Sequence, residues 1–110
     1  MNILFWKKNK LIDKTAITLA DEFYSQTQPQ QVIDYFQGSE LNNKARKKSK
    51  KVENVLNHTA GQINSFRKEN SIGIYGKSRL HLNFMNRLNE LGYPDEITRQ
   101  INEILLLRTP

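Results

Sequence analysis

The chain contains no cysteine. Disulfide bridges, thiolate metal sites and catalysis by a cysteine nucleophile are therefore excluded. Small secreted domains usually depend on disulfides, so the absence of cysteine favours a reducing compartment, and we expect a cytoplasmic protein. No stretch approaches the roughly 18 apolar residues of a membrane span. The apolar run at Ile3–Trp6 is also shorter than the core of a signal peptide, which needs about 7–15 residues.

Proline and glycine are scarce, with three prolines and five glycines among 110 residues. Long stretches therefore lack the two residues that interrupt helices. Alternating apolar and polar runs, which indicate strands, are absent. We expect an all-α protein, a compact four- or five-helix bundle with one long basic central helix, in a single domain over residues 1–110. Residues 1–10 are interpreted as an N-terminal arm that packs Phe5 and Trp6 onto the core, with a membrane-surface anchor as the alternative.

Residues that start and stop helices divide the first part of the chain. A first helix is predicted over residues 11–26. Pro29 suits the first turn of a short second helix, which Gly38 ends. Ser39 is a favourable N-cap for a third helix over residues 40–70.

The second part of the chain predicts two further helices. A glycine-containing connector over residues 71–78 precedes a fourth helix over residues 78–91, and Gly92 ends it. Pro94 takes the first position of the fifth helix. Because the link between these two helices is short, we expect them to form an antiparallel hairpin.

Apolar residues recur at helical spacing in each predicted helix, which identifies the expected core. The third helix shows a heptad-like series that includes two polar residues, Ser49 and Thr59. The predicted core positions are Ile12, Ala16, Leu19, Ala20, Phe23, Val32, Ile33, Phe36, Ala45, Ser49, Val52, Leu56, Thr59, Ile63, Phe66, Leu80, Phe84, Met85, Leu88, Leu91, Ile97, Ile101, Ile104, Leu105 and either Leu106 or Leu107.

The net charge of +6 is concentrated in the middle of the chain. Residues 41–80 contain ten Lys and Arg against Glu53 and Glu69, whereas each flanking part is within one charge of neutrality. Such asymmetry favours an anionic partner. The candidate nucleic-acid-binding residues are these ten cations: Lys44, Arg46, Lys47, Lys48, Lys50, Lys51, Arg67, Lys68, Lys77 and Arg79.

The basic run over residues 44–51 is the strongest of these signals. Like charges recur four residues apart along it, which destabilises an isolated helix and would be relieved by phosphates or carboxylates. Two alternatives remain, a solvated helix face and a disordered loop over residues 38–51.

Gly76-Lys77-Ser78 matches the end of a phosphate-binding loop, but Ser71 replaces the first glycine and no strand precedes it. A tight turn in which Ile72, Ile74 and Tyr75 pack is the alternative.

Catalytic chemistry is not indicated. His58 and His81 are the only histidines, and neither has an acidic or histidine partner at metal-ligand spacing. The carboxylates are scattered, so no acid–base pair can be nominated. We expect no enzymatic activity, no metal and no cofactor.

Two functions are compatible with this pattern. The first is a helical module that contacts nucleic-acid phosphates, with Tyr75 stacking on an exposed base. In that case Arg79, Asn83, Asn86 and Arg87 on the fourth helix could read base edges. The second is a protein-interaction module, as an adaptor, an inhibitor or a homo-oligomer. Its basic helix would meet an acidic protein surface, with Phe5, Trp6 or Leu106 as apolar anchors.

Overall fold

A computed structural model describes the backbone of residues 3–38 and 43–110, and the side chains of residues 6–38, 43, 44 and 46–110. These residues form five α-helices and no strand, which confirms the predicted all-α bundle. The helices are α1 (Ile3–Gln26), α2 (Pro29–Gln37), α3 (Asn43–Glu69), α4 (Ile74–Glu90) and α5 (Asp95–Arg108). No helix within these residues is long and apolar enough to cross a membrane.

Helix α1 packs chiefly against α4, and the two helices run parallel. The direction follows from their polar contacts, because Asp13 meets Arg79 and, two turns later, Asp21 meets Arg87. Helix α3 runs antiparallel to α1, because Gln26 lies beside the start of α3 whereas Thr15 lies beside its end.

Helices α4 and α5 form the antiparallel hairpin predicted from their short link. Asn89 contacts Asp95 beside the turn, and His81 contacts Asn102 farther along both helices. Gly92 adopts a positive φ of 105° in the turn, a conformation that glycine adopts at little cost. Pro94 caps α5 and immediately precedes its first residue.

The core lies between the five helices, and most of the predicted apolar positions are buried in it. An aromatic group occupies one end of this core. The ring of Phe23 meets Phe84 edge-on with centroids 6.1 Å apart, and its centroid lies 5.8 Å from that of Tyr93. The hydroxyl of Tyr93 donates a hydrogen bond to the carbonyl of Thr27, which ties the turn after α4 to the turn after α1.

Helix α1 begins at Ile3 rather than at residue 11, so the predicted N-terminal arm is largely helical. The apolar spacing marks only the part of α1 that contacts the core, which starts at Ile12. Nothing in residues 3–10 interrupts a helix, and α1 therefore extends beyond the core. Trp6 is 55% exposed, so its predicted packing on the core is wrong. The side chain of Phe5 lies outside the described residues.

Helix α4 begins at Ile74, four residues before the predicted start. Gly76 was expected in a loop, but it lies in the first turn of α4 and faces Ile12 and Ile72. A methyl group at Gly76 would lie 2.5 Å from Cγ2 of Ile72 and 3.1 Å from Cδ1 of Ile12. Gly76 therefore permits close packing rather than a turn, and the expected packing of Ile74 is wrong, since that side chain is 85% exposed.

Ile97, Ile101 and Leu105 of α5 are buried, whereas Leu107 is 84% exposed. Leu107 is therefore not the additional core residue of this run. Leu106 is also exposed. The expectation that one of them completes the core is not met.

A polar network joins α2, α3 and α5 beside this core. The hydroxyl of Tyr35 donates to Glu53, and Nη2 of Arg108 lies 2.8 Å from the same carboxylate. The hydrogen bond from Tyr35 is the main reason that the pKa of Glu53 is lowered. Burial, followed by the contact with Glu53, raises the pKa of Tyr35 to about 12.

Candidate nucleic-acid interface

Residues 43–51, called the basic segment below, form the first turns of α3. Six cations project from it: Lys44, Arg46, Lys47, Lys48, Lys50 and Lys51, and all six side chains are exposed. Val52, the next residue, is buried. At 100° per residue the six cations occupy an arc of about 200° around the helix. The basic segment therefore presents positive charge over more than half of its circumference.

These six cations lack the ion pairs that most arginines form elsewhere in the described part of the chain. Arg79, Arg87, Arg99 and Arg108 each contact a carboxylate, at distances between 2.7 and 3.0 Å. No cation of the basic segment forms an ion pair with an acidic residue in the ranges 3–38 and 43–110. The pairs 44/48, 46/50 and 47/51 place like charges one turn apart. Lys44 and Arg46 also lie in the first turn of α3, where the helix dipole disfavours positive charge.

A shallow groove of about 540 Å³ runs between the basic segment and the end of α1. Three lysines line it, together with polar side chains that can donate hydrogen bonds and a buried apolar residue. The lining residues are Gln26, Lys47, Lys50, Lys51, Asn54, Val55 and His58. Ammonium groups, amides and an imidazole are donors for phosphate or carboxylate oxygens. The groove therefore offers donors for an anion, and most of its lining surface is apolar.

Asn54 and His58 were not among the sequence-predicted site residues. The signal for them is the spacing of Lys47, Lys51, Asn54 and His58, which places all four on one side of α3. Gln26 has no such signal, because it reaches the groove through the antiparallel packing of α1 against α3.

Arg67, Lys68 and Lys77 lie far from the basic segment. At 1.5 Å per residue, Arg67 is about 30 Å along α3 from Lys47. Nη1 of Arg67 donates to the carbonyl of Pro110 at 3.0 Å, and Nζ of Lys77 donates to the carbonyl of Thr109. Lys68 is exposed. Arg67 and Lys77 therefore hold the segment after α5, and the structure does not bring these three cations together with the basic segment.

Arg79 contacts α1 through two hydrogen bonds to Asp13, at 2.7 and 2.8 Å. These bonds are the main reason that the pKa of Asp13 is lowered. Asn83 donates to the same carboxylate, and Arg87 donates to Asp21. Three of the four side chains considered for reading base edges therefore form hydrogen bonds with carboxylates of α1. Asn86 is exposed.

The two histidines occupy different environments. His58 is exposed in the groove. His81 is buried, with Nδ1 3.0 Å from the amide oxygen of Asn102 and Nε2 3.4 Å from the hydroxyl of Thr109. Burial lowers the pKa of His81. No group of three or more His, Cys, Asp or Glu that could hold a metal occurs within residues 3–38 and 43–110.

Comparison of the chain with known protein families, with curated proteins and with solved structures finds no match.

Proposed function

We propose that the chain binds nucleic acid through its phosphates, using the basic segment and the groove beside it. The supporting observation is the density of unpaired positive charge in one short segment. Six exposed cations in nine residues lack a described acidic partner, while four arginines outside this segment each contact a carboxylate. The number of cations in the basic segment, six, equals the net formal charge of the whole chain. Phosphates would relieve the repulsion between like charges along α3. They would also offset the unfavourable placement of positive charge at the start of that helix.

The dimensions of the basic segment suit a nucleic-acid backbone. Nine helical residues extend about 13 Å, and duplex DNA carries one negative charge per ~1.7 Å of its axis. Several phosphates therefore lie within reach of one face of the segment. Because phosphate contacts carry no sequence information, the proposed binding is tolerant of sequence.

The test is the fluorescence anisotropy of labelled single- and double-stranded oligonucleotides against the protein, at about 50 and 200 mM salt. We expect affinity to fall steeply between the two salt concentrations. Substituting Lys47, Lys48 and Lys51 by glutamine should weaken binding to all sequences alike. Since each phosphate contact contributes about 0.9 to the slope of log affinity against log salt for duplex DNA, the substitutions should reduce this slope by up to about 2.7.

A matched control removes three lysines from α1. Lys7, Lys10 and Lys14 are exposed, and their substitution by glutamine changes the net charge by the same amount. We expect this variant to keep most of the affinity and nearly the whole salt slope. Equal losses in the two variants would show that only net charge matters. Absence of binding at the lower salt concentration would refute the proposal.

A further inference from the structure

A second cationic surface lies at the end of the molecule where α1 and α4 both begin. Four exposed apolar or aromatic side chains and three exposed lysines belong to the first half of α1 and the first turn of α4. They are Trp6, Lys7, Lys10, Leu11 and Lys14 of α1, with Ile74 and Tyr75 of α4. We call this set the aromatic–lysine end.

The parallel packing of α1 and α4 brings these residues to the same end. Nζ of Lys8 lies 3.4 Å from the carbonyl of Ser71, which fixes the start of α1 beside the connector to α4. Arg79 joins Asp13 to the hydroxyl of Tyr75. The ammonium group of Lys10 lies 5.8 Å from the centre of the Trp6 ring.

The side chains of this end have the composition of a membrane-interface surface. Tryptophan and tyrosine favour the boundary between lipid and water, because their rings are apolar and carry one polar group. Ile74 and Leu11 are exposed to water. Transfer of their apolar side chains from water into an apolar environment is favourable. Lys7, Lys10 and Lys14 form no ion pair with a described acidic residue, and lysines beside apolar groups are attracted to anionic headgroups.

We propose that the aromatic–lysine end docks on the surface of an anionic lipid bilayer. The charge complementarity of the lysines selects anionic over zwitterionic lipid, and the exposed aliphatic side chains favour a bilayer over a nucleic acid. This end is distinct from the basic segment, since Trp6 lies about 30 Å along α1 from Gln26 in the groove. The inference does not rest on the proposed function.

The chain contains a single tryptophan, so its tryptophan emission, excited selectively over the tyrosines, reports on this surface alone. We would titrate the protein with vesicles of phosphatidylcholine, and with vesicles that also contain phosphatidylglycerol. A blue shift of Trp6 emission is expected with the anionic vesicles only. Substitution of Lys7, Lys10 and Lys14 by glutamine should weaken vesicle binding by about 100-fold, at roughly five-fold per lysine.

The matched control is the variant with Lys47, Lys48 and Lys51 replaced by glutamine, which should retain the blue shift. Vesicle binding that disappears in this control, or that leaves Trp6 emission unchanged, would overturn the proposal in favour of the basic segment. A blue shift with duplex DNA that is abolished by substituting Lys7, Lys10 and Lys14 would also overturn it. No blue shift with anionic vesicles at low salt would do the same.

Discussion

Two glycines within helices respond in opposite ways to the same substitution. Gly61 lies in α3, and a methyl group added there would meet nothing within 4 Å. Gly76 lies in α4, and its added methyl group would lie 2.5 Å from Ile72 and 3.1 Å from Ile12. The Cγ2 atom of Ile72 is attached directly to its branched Cβ, so it moves aside only if χ1 leaves its preferred rotamer or the whole residue shifts. The packing of α1 against α4 therefore decides the difference between Gly61→Ala and Gly76→Ala.

The magnitudes follow from propensity and packing. Alanine is about 1 kcal/mol more favourable than glycine inside a helix, so Gly61→Ala should stabilise the protein by that amount. Gly76→Ala gains the same propensity but overpacks the interface, at a cost of about 1–3 kcal/mol. Its net effect should lie between no change and a destabilisation of about 2 kcal/mol. The two variants should therefore differ by about 1–3 kcal/mol in their free energies of unfolding.

Urea and thermal denaturation, followed by circular dichroism, measure this difference. For a domain of this size 1 kcal/mol corresponds to about 4 °C in Tm, so Gly61→Ala should melt a few degrees higher than the wild type. Equal stabilisation by both substitutions would refute the close approach of α1 and α4 at Gly76. Destabilisation by Gly61→Ala would refute the open surroundings of that residue in α3.

Two further predictions concern buried side chains. Because burial lowers the pKa of His81, the unfolded chain takes up a proton at this residue first as pH falls below about 6.5. The free energy of unfolding should then decrease by at most about 1.4 kcal/mol per pH unit. Urea midpoints measured at several pH values should fall less steeply with decreasing pH in His81→Gln. An unchanged pH dependence in this variant would contradict the lowered pKa of His81. Phe84→Ala should cost about 3–5 kcal/mol, since Phe84 is 1% exposed and packs against Phe23; an unfolding midpoint within error of the wild type would contradict its place in the core.

The fold class and most core positions were predictable because apolar spacing reports which side of a helix is buried. The start of α4 was not predictable, because the sequence does not show which of two structural roles Gly76 has. A glycine can open a turn or admit a neighbouring helix, and only the position of Ile12 distinguishes them. The start of α1 was missed because a helix that extends beyond the core leaves no apolar period there.

The candidate interface was predictable only in part. The run of cations in the basic segment is local in sequence, so its presence on one helix could be foreseen. Whether a cation keeps its charge unpaired depends on distant residues. Arg79 meets Asp13 across 66 residues of chain, and Arg67 reaches Pro110 across 43. Sequence spacing gives no sign of either contact.

The parallel arrangement of α1 and α4 has a consequence for how the chain acquires its structure. Two parallel helices cannot be joined by a short turn, so residues 27–73, with α2 and α3, form the crossover between them. Closing a long loop carries an entropic cost that is recovered only when the distant partners meet. During synthesis the buried side of α1 must therefore wait for α4 to emerge from the ribosome. The first half of this protein is thus the part most in need of protection while the chain is incomplete.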